Sequence, residues 1–503
     1  MGEAYIYVKP ENFKKACLHF HKKLSSPVSM MFACDERDKR NSFRIYCAFM
    51  GIKYKKWVFV MMDIPEERPE FESIAKDIYS AGLFEREIKE MFGISAEGNP
   101  DLRSLRLHDE VWPAGYYPLR KDFKRPERTG LEKKEYVFNK VEGEGIFEIP
   151  VGPVHAGIIP PGHFRFSVAG EPIINLETRF GWTHKGIEKL FEGKDVNSGV
   201  RLSECVTGDS AFSNSNAFCH AVEKICKIDM PEKAMFLRAI FLELERMYNH
   251  LNGIGGIAID VGFSFPSGYA SIMKEKILRL NQKLTNSRYL KGINIIGGVS
   301  IGLDAEKKDI LLKELKAAEK DFRELKDMLY SSVSFMDRLD GTGMLKKKTA
   351  EDLSILGLAG RAAGIEKDLR KDFPGAYHDV KFNIAKESRG DVMARLNMRV
   401  SEFEESISLI RQFVDKLDLA IAINFLGKIE FREGQALGYA EAWRGPLLYW
   451  VRLNKAGLLE RCKIVDPSFH SWEGLSYSVL GDIVPDFPVC NKSFDLSYSG
   501  NDL

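Results

Sequence analysis

Apolar and polar positions change period several times along the chain, and each change predicts an element. Between residues 13 and 24 apolar and basic residues interleave at helical spacing, as in an amphipathic helix. Residues 28–34, 43–50 and 57–64 are strand-like apolar runs, the first two joined by a charged turn at 35–42. A second helix is predicted from about Phe71 into Gly82, with Leu83, Ile88 and Met91 available for packing and Glu85, Glu87 and Glu90 forming an acidic edge. Residues 124–145 turn charged and glycine-bearing, which marks a linker. Beyond it, 164–168 and 173–180 flank a hairpin signal. Phe218, Ala221, Val222 and Ile225 recur on one face of a helix that Thr207 or Asp209 can cap. Residues 304–331 predict one long exposed helix rich in charge pairs, and some strand is expected near 438–452.

Composition narrows the function classes. Among 503 residues, 73 Lys and Arg stand against 72 Asp and Glu, a balance that does not point to nucleic acid. No run approaches the roughly 18 apolar residues that would span a bilayer, and Met1-Gly-Glu-Ala-Tyr5 lacks a signal-peptide pattern. Eight cysteines without a C-x-x-C pair read as reduced thiols of a cytosolic protein. Any work at a membrane is therefore expected to proceed through partners.

Several blocks carry a resemblance. Glu85-Arg-Glu87-Ile-Lys-Glu90-Met-Phe-Gly93, Asn99-Pro-Asp-Leu-Arg103 and Tyr117-Pro-Leu-Arg-Lys-Asp-Phe123 resemble the 30-kDa subunit of respiratory complex I and its hydrogenase homologues. Gly152-Pro-Val-His155, His184-Lys-Gly-Ile-Glu188-Lys, Leu242-Glu-Leu-Glu-Arg246-Met-Tyr-Asn-His250-Leu, Asp260-Val-Gly and Glu441-Ala-Trp-Arg444-Gly resemble the complex I 49-kDa subunit and the large subunit of membrane-bound nickel–iron hydrogenases. The resemblance implies an α+β chain. Residues 1–125 would be a small α/β docking domain of the 30-kDa type and 126–148 a linker. Residues 149–503 would form a mostly helical, hydrogenase-like domain with a β-hairpin at its entrance.

The same resemblance marks what is missing. In the hydrogenase family C-G-x-C and D-P-C-x-x-C hold the metals; here Thr207, Ser210, Ser468 and Ser471 occupy the four cysteine positions, and Asn214 that of a neighbouring His. Hydroxyls are neutral and hard where nickel and low-spin iron need soft anionic sulfur, so no nickel–iron centre is expected. In the complex I branch, the histidine matched by His155 and the aspartate matched by Asp260 form a proton-delivering pair in a quinone cavity. The tyrosine opposite them has no counterpart between 201 and 212. Cys205, Glu204, Asp209 and His470, beside Asp466, are candidates for a rebuilt metal or polar pocket. His184, Glu188, Arg246 and His250 are expected at the interface with a small iron–sulfur subunit. The resemblance implies a peripheral subunit on the cytoplasmic face of the membrane, which binds no cofactor itself. It would accept electrons from that iron–sulfur subunit beside ion-translocating membrane subunits, with quinone or another small molecule as acceptor; the rival reading is a catalytically silent scaffold. The 32 residues after Ser471 exceed the hydrogenase pattern, and Ile483, Phe487, Phe494 and Leu496 are expected to anchor them against the bundle.

Overall fold

The computed structural model describes residues 2–126, 134–156, 159–417 and 429–503. Parts of the predicted linker (127–133) and of the Gly/Pro loop after His155 (157–158) lie outside the described residues. The N-terminal sheet is built from β1 (Gly2–Tyr7), β2 (Val28–Asp35), β3 (Ser42–Gly51) and β4 (Lys56–Pro65), in the order β1-β4-β3-β2 with only β1–β4 parallel. Helix α1 (Pro10–Leu24) covers one face through Phe13 and Cys17. Every residue of β2 is buried, so the strand is covered on both faces and alternation is lost.

The second helix starts later than predicted. Phe71 lies in a short strand, Glu70–Glu72, and helix α2 spans Gly82–Phe92. Its glutamates are not an exposed edge. Ser73 Oγ, the Ile74 N–H and the Asn99 amide donate to Glu85; Lys463 and Arg106 pair with Glu87; the amides of Leu105, Arg106 and Leu107 donate to Glu90. A carboxylate so buried is stable only with donors of this kind, which makes each glutamate a staple for the irregular segment that follows.

The second region opens with the expected hairpin, β6 (His163–Ala169) and β7 (Ile173–Arg179), to which β5 (Ile146–Val151) adds a third antiparallel strand. Strand β5 begins inside the stretch predicted as linker. Helix α3 (Ala211–Cys226) leads to the central helix α4 (Glu232–Asp260), which is buried nearly all round and packs against α5 (Ser264–Thr285) and α7 (Val392–Lys416). Residues 253–256, a glycine-rich stretch that would suit a flexible helix exit, continue the helix. Gly253 lies under the Arg399 guanidinium, where a Cβ would come within 2.6 Å of it, and Gly255 faces Ala270, so these glycines permit close packing. Helix α6 (Ala305–Ser331), capped by Asp304 accepting from the Lys307 N–H, buries the stripe Leu311, Leu315, Ala318, Phe322, Leu325 and Leu329 and exposes the opposite face.

Strands β8 (Gly434–Glu441), β9 (Pro446–Leu453) and β10 (Leu459–Val465) form an antiparallel sheet, followed by α8 (Ser468–Ser478), α9 (Phe487–Phe494) and α10 (Tyr498–Asp502). Phe487 and Phe494 are buried and Leu496 packs against the core, as the anchoring of the C-terminal stretch requires. The core of the N-terminal region continues into the second region, which also has cores of its own. Phe32 and Tyr46 pack on Trp450 with ring centroids 4.8 and 5.0 Å away, and Trp57 stacks on Phe373 at 5.7 Å.

Candidate functional site

The two loops that resemble metal loops converge on Arg444. Its guanidinium donates to both Asp209 carboxylate oxygens (3.0 and 2.6 Å) and to the Asp495 carbonyl, and its charge reaches Asp466 of the second loop. Against the upward push of burial, Arg444 holds the Asp209 carboxyl below the usual range; Asp466, more weakly compensated, is pushed up by burial.

The four hydroxyls are all committed. Thr207 Oγ1 and Ser210 Oγ donate to Asp209 Oδ1 (2.5 and 3.1 Å), and Ser210 Oγ also accepts from the Trp443 indole. Ser468 Oγ accepts from the Ser497 N–H and Ser471 Oγ donates to the Pro467 carbonyl, both at 2.9 Å. Asn214 bridges the Ser210 carbonyl and the Tyr449 hydroxyl. A Cβ on Gly500 would sit 2.6 Å from the Asp466 carboxylate, so the C-terminal segment closes directly over the second loop. This donor set does not fit a nickel–iron group.

Neither Thr207 nor Asp209 caps α3. The Glu245 carboxylate, arriving from α4, accepts the N–H groups of Phe212 (2.8 Å) and Ser213 (3.1 Å) instead, and burial pushes its pKa up to about 7. Sequence spacing gives no signal for a cap supplied 33 residues downstream.

The candidates for a rebuilt pocket are dispersed. Cys205 is exposed and donates to the Arg201 carbonyl, while Glu204 accepts from the Gly292 N–H at 2.7 Å. His470 packs edge-on to Phe84 of the N-terminal domain, and burial lowers its pKa to about 4. Among the described residues, no group of three or more His, Cys, Asp and Glu is placed to hold a metal ion.

His155 and Asp260 do not pair. The imidazole donates to the Gly162 carbonyl at 2.8 Å, and Asp260 Oδ2 is buried without a hydrogen-bond partner. Burial pushes the Asp260 carboxyl up, opposite to the fall that an imidazolium partner would cause.

The predicted interface residues are largely interior. Arg246 and His250 are 1% and 0% exposed, and Glu188 is 5% exposed. His250 donates to Glu402 at 2.9 Å; Arg246 binds Glu243 and the carbonyls of Glu441 and Ala442. They belong to a network that joins several of the matched blocks through Glu402, which no block contains. Within it Arg361 pairs with Glu402 (2.7 Å), Glu441 (2.8 Å) and Asp368 (3.3 Å), and Arg370 with Asp368 and Glu243. Burial keeps His250 neutral, with a pKa near 4, and pushes Glu441 up to about 7. Lys463 joins Glu188 to Glu87 across the domain boundary, and despite burial it and Arg461 hold Glu188 near 2. His184, half-buried, donates to the Asp502 carbonyl at 2.7 Å.

The comparisons agree with this architecture. Residues 6–129 match the family of the respiratory-chain NADH dehydrogenase 30 Kd subunit, and 260–424 that of the 49 Kd subunit. Formate hydrogenlyase subunit 5 of Escherichia coli (strain K12) is 32% identical over 489 residues, which cover 94% of this chain and 84% of that protein. The chain belongs to this fused 30/49-kDa family of hydrogenase and NADH dehydrogenase subunits. Hydrogenase-4 component G of the same organism is also 32% identical, covering 94% of this chain and 83% of its own length. The C/D-type NADH-quinone oxidoreductase subunit of Phocaeicola vulgatus is 30% identical, covering 78% and 81%. Within this family the oxidoreductase assignment and the α+β architecture expected from the sequence both stand.

Proposed function

We propose that the chain is the electron-accepting, hydrogenase-like subunit of a membrane-associated, complex I-like oxidoreductase and works without a nickel–iron centre. The observation that carries this reading is the replacement of all four thiolates by hydroxyls engaged in hydrogen bonds, inside a chain that otherwise keeps the family's length and order of blocks. Its partners are then a small iron–sulfur subunit and ion-translocating membrane subunits. Among the described residues no helix is long and apolar enough to cross a membrane, which suits a peripheral position on such an assembly. Elemental analysis of the natively purified complex tests the reading: iron from the partner subunit without stoichiometric nickel is expected, and one nickel per chain overturns it.

A second reading has its own support. The unpaired His155 and Asp260, with no tyrosine between 201 and 212, favour a scaffold that transmits conformational change and performs no quinone chemistry. Quinone reduction by the intact complex that is lost in His155→Ala would exclude the scaffold.

A further inference from the structure

We propose that a cleft where the two regions meet, built around Glu473, is a binding site for a small organic cation carrying a primary amine or a guanidinium. The cleft encloses about 350 Å³. Tyr79, Arg86 and Asp101 line it from the N-terminal region, and Asp352, Glu473 and Tyr477 from the second. That volume lies at the lower end for ligand pockets, which suits a molecule of few heavy atoms.

Glu473 is the group that the fold leaves open. Its half-buried carboxylate forms no hydrogen bond and no ion pair among the described residues. The oxygens are not sealed in the interior, since Glu473 lines both this cleft and a second chamber of about 350 Å³ that shares Arg86, Asp101 and Tyr477 with it. Burial pushes the carboxyl up to about 7, against the pull of Arg86 and with a further push from Asp101. Arg86 is spent elsewhere. Its Nε and Nη2 donate to the carbonyls of Arg103 and Ser104 at 3.0 and 2.9 Å, and its Nη1 stands 3.4 Å from Asp101. Asp101 is itself held by Arg103. A solvated surface carboxylate needs no partner from the protein, whereas one desolvated to this degree is short of a cation.

The surroundings select the kind of cation. Glu473 and Tyr477 stand one turn apart on α8, so carboxylate and ring share a face of that helix. Burial raises the Tyr477 hydroxyl's pKa, and the charge of Glu473 and the neighbouring Tyr79 raise it further, which places both phenols near one opening. Both tyrosines are exposed at its rim. Asp352, whose other partner is the exposed Lys348, adds a second carboxylate. Aromatic faces beside an unpaired carboxylate attract an ammonium or guanidinium. A metal ion would need several converging ligands, and among the described residues no group of three His, Cys, Asp or Glu is so placed. Tyr79 precedes α2 and Tyr477 belongs to α8, so an occupant would clamp the two regions together at this edge. The inference concerns binding and does not depend on which electron acceptor the complex uses.

Agmatine, which carries both head groups, is the probe. In calorimetric titration of the full chain in its native assembly at about pH 8, it should bind saturably; Glu473→Gln should weaken it roughly tenfold and Tyr477→Ala about threefold. Neither substitution removes a hydrogen bond that holds the fold. Affinity should also rise about tenfold between pH 6 and 8 as the carboxyl ionises, and Glu473→Gln should flatten that rise. The ionisable neighbours in the cleft, Tyr79, Arg86, Asp101, Asp352 and Tyr477, are of residue types that do not titrate in this window. Glu306→Gln, in the exposed first turn of α6, should leave binding unchanged. The absence of saturable binding, undiminished affinity in Glu473→Gln, or a structure of the native assembly with a neighbouring subunit's lysine or arginine filling the cleft would each overturn the proposal.

Discussion

Two charged interiors meet on opposite sides of Trp443. On one side the indole approaches the His250 ring, behind which Glu402, Arg361, Glu441, Asp368, Arg370 and Glu243 each have an opposite charge within hydrogen-bonding distance. On the other side it stacks under Arg444 and faces Arg399, where Arg399 Nε and Nη1, Asp495 Oδ2 and the Tyr498 hydroxyl lack hydrogen-bond partners. Partner counting differs between the two sides. On the first each charged group has its counter-charge and His250 Nδ1 lacks a partner; on the second, buried atoms of both a guanidinium and a carboxylate stay unpaired.

The largest effect should come from breaking the paired side. Arg361→Met leaves Glu402, Glu441 and Asp368 without their shared cation, and a loss of about 3–5 kcal/mol or more is expected in urea unfolding. Tyr498→Phe removes a hydroxyl that has no partner, so it should change stability by less than about 1 kcal/mol. If the two substitutions cost the same, the contrast across Trp443 is wrong.

The next effect is a slope against pH. Glu245, Glu441 and Glu473 have pKa values raised by burial to about 7, so their contribution to stability is full below the ordinary carboxyl range and is lost as pH rises through 7. His220, His250 and His470 are lowered by burial to about 4, so theirs is full above the ordinary imidazole value and is lost as pH falls through 4. The two sets oppose each other between about pH 4.5 and 6.5. Glu245→Gln removes one of the falling contributions and should tilt the stability curve upward with pH, by up to about 1.4 kcal/mol per unit. An unchanged slope in urea midpoints at several pH values would mean that Glu245 titrates as an ordinary carboxyl.

The smallest effect is a null coupling. In a double-mutant cycle, His155→Ala and Asp260→Asn should be additive within about 0.3–0.5 kcal/mol, because their side chains do not meet. A larger coupling would restore the proton-relay pair.

Much of the fold was legible because local pattern and tertiary burial agree. The three N-terminal strand runs and the extent of α6 can be read from spacing alone. The errors have physical causes. Glu85, Glu87 and Glu90 look like a solvated face until the chain returns to supply amides, Arg106 and Lys463. The glycines at 253–256 look like a hinge until Arg399 is seen lying on one of them. At the candidate site, motif matching names Arg246 and His250 but not their shared partner Glu402, which lies 152 positions beyond His250. Arg444 stands out there only as part of a block. Asp495 and Tyr498 sit in a stretch whose pattern shows only apolar anchors, since unsatisfied hydrogen bonds leave no trace in spacing.

The common core of the two regions bears on how such a protein can be divided. Phe32, Tyr46, Trp57, Phe373 and Trp450 fill one another's packing gaps, and Lys463 shares its charge between Glu87 and Glu188. Made as separate polypeptides, the two halves would each expose a sticky aromatic face and a stranded charge until they met. Joining them covalently replaces that encounter by a local concentration on the order of millimolar. Fusion thus keeps each half beside the surface that must cover it.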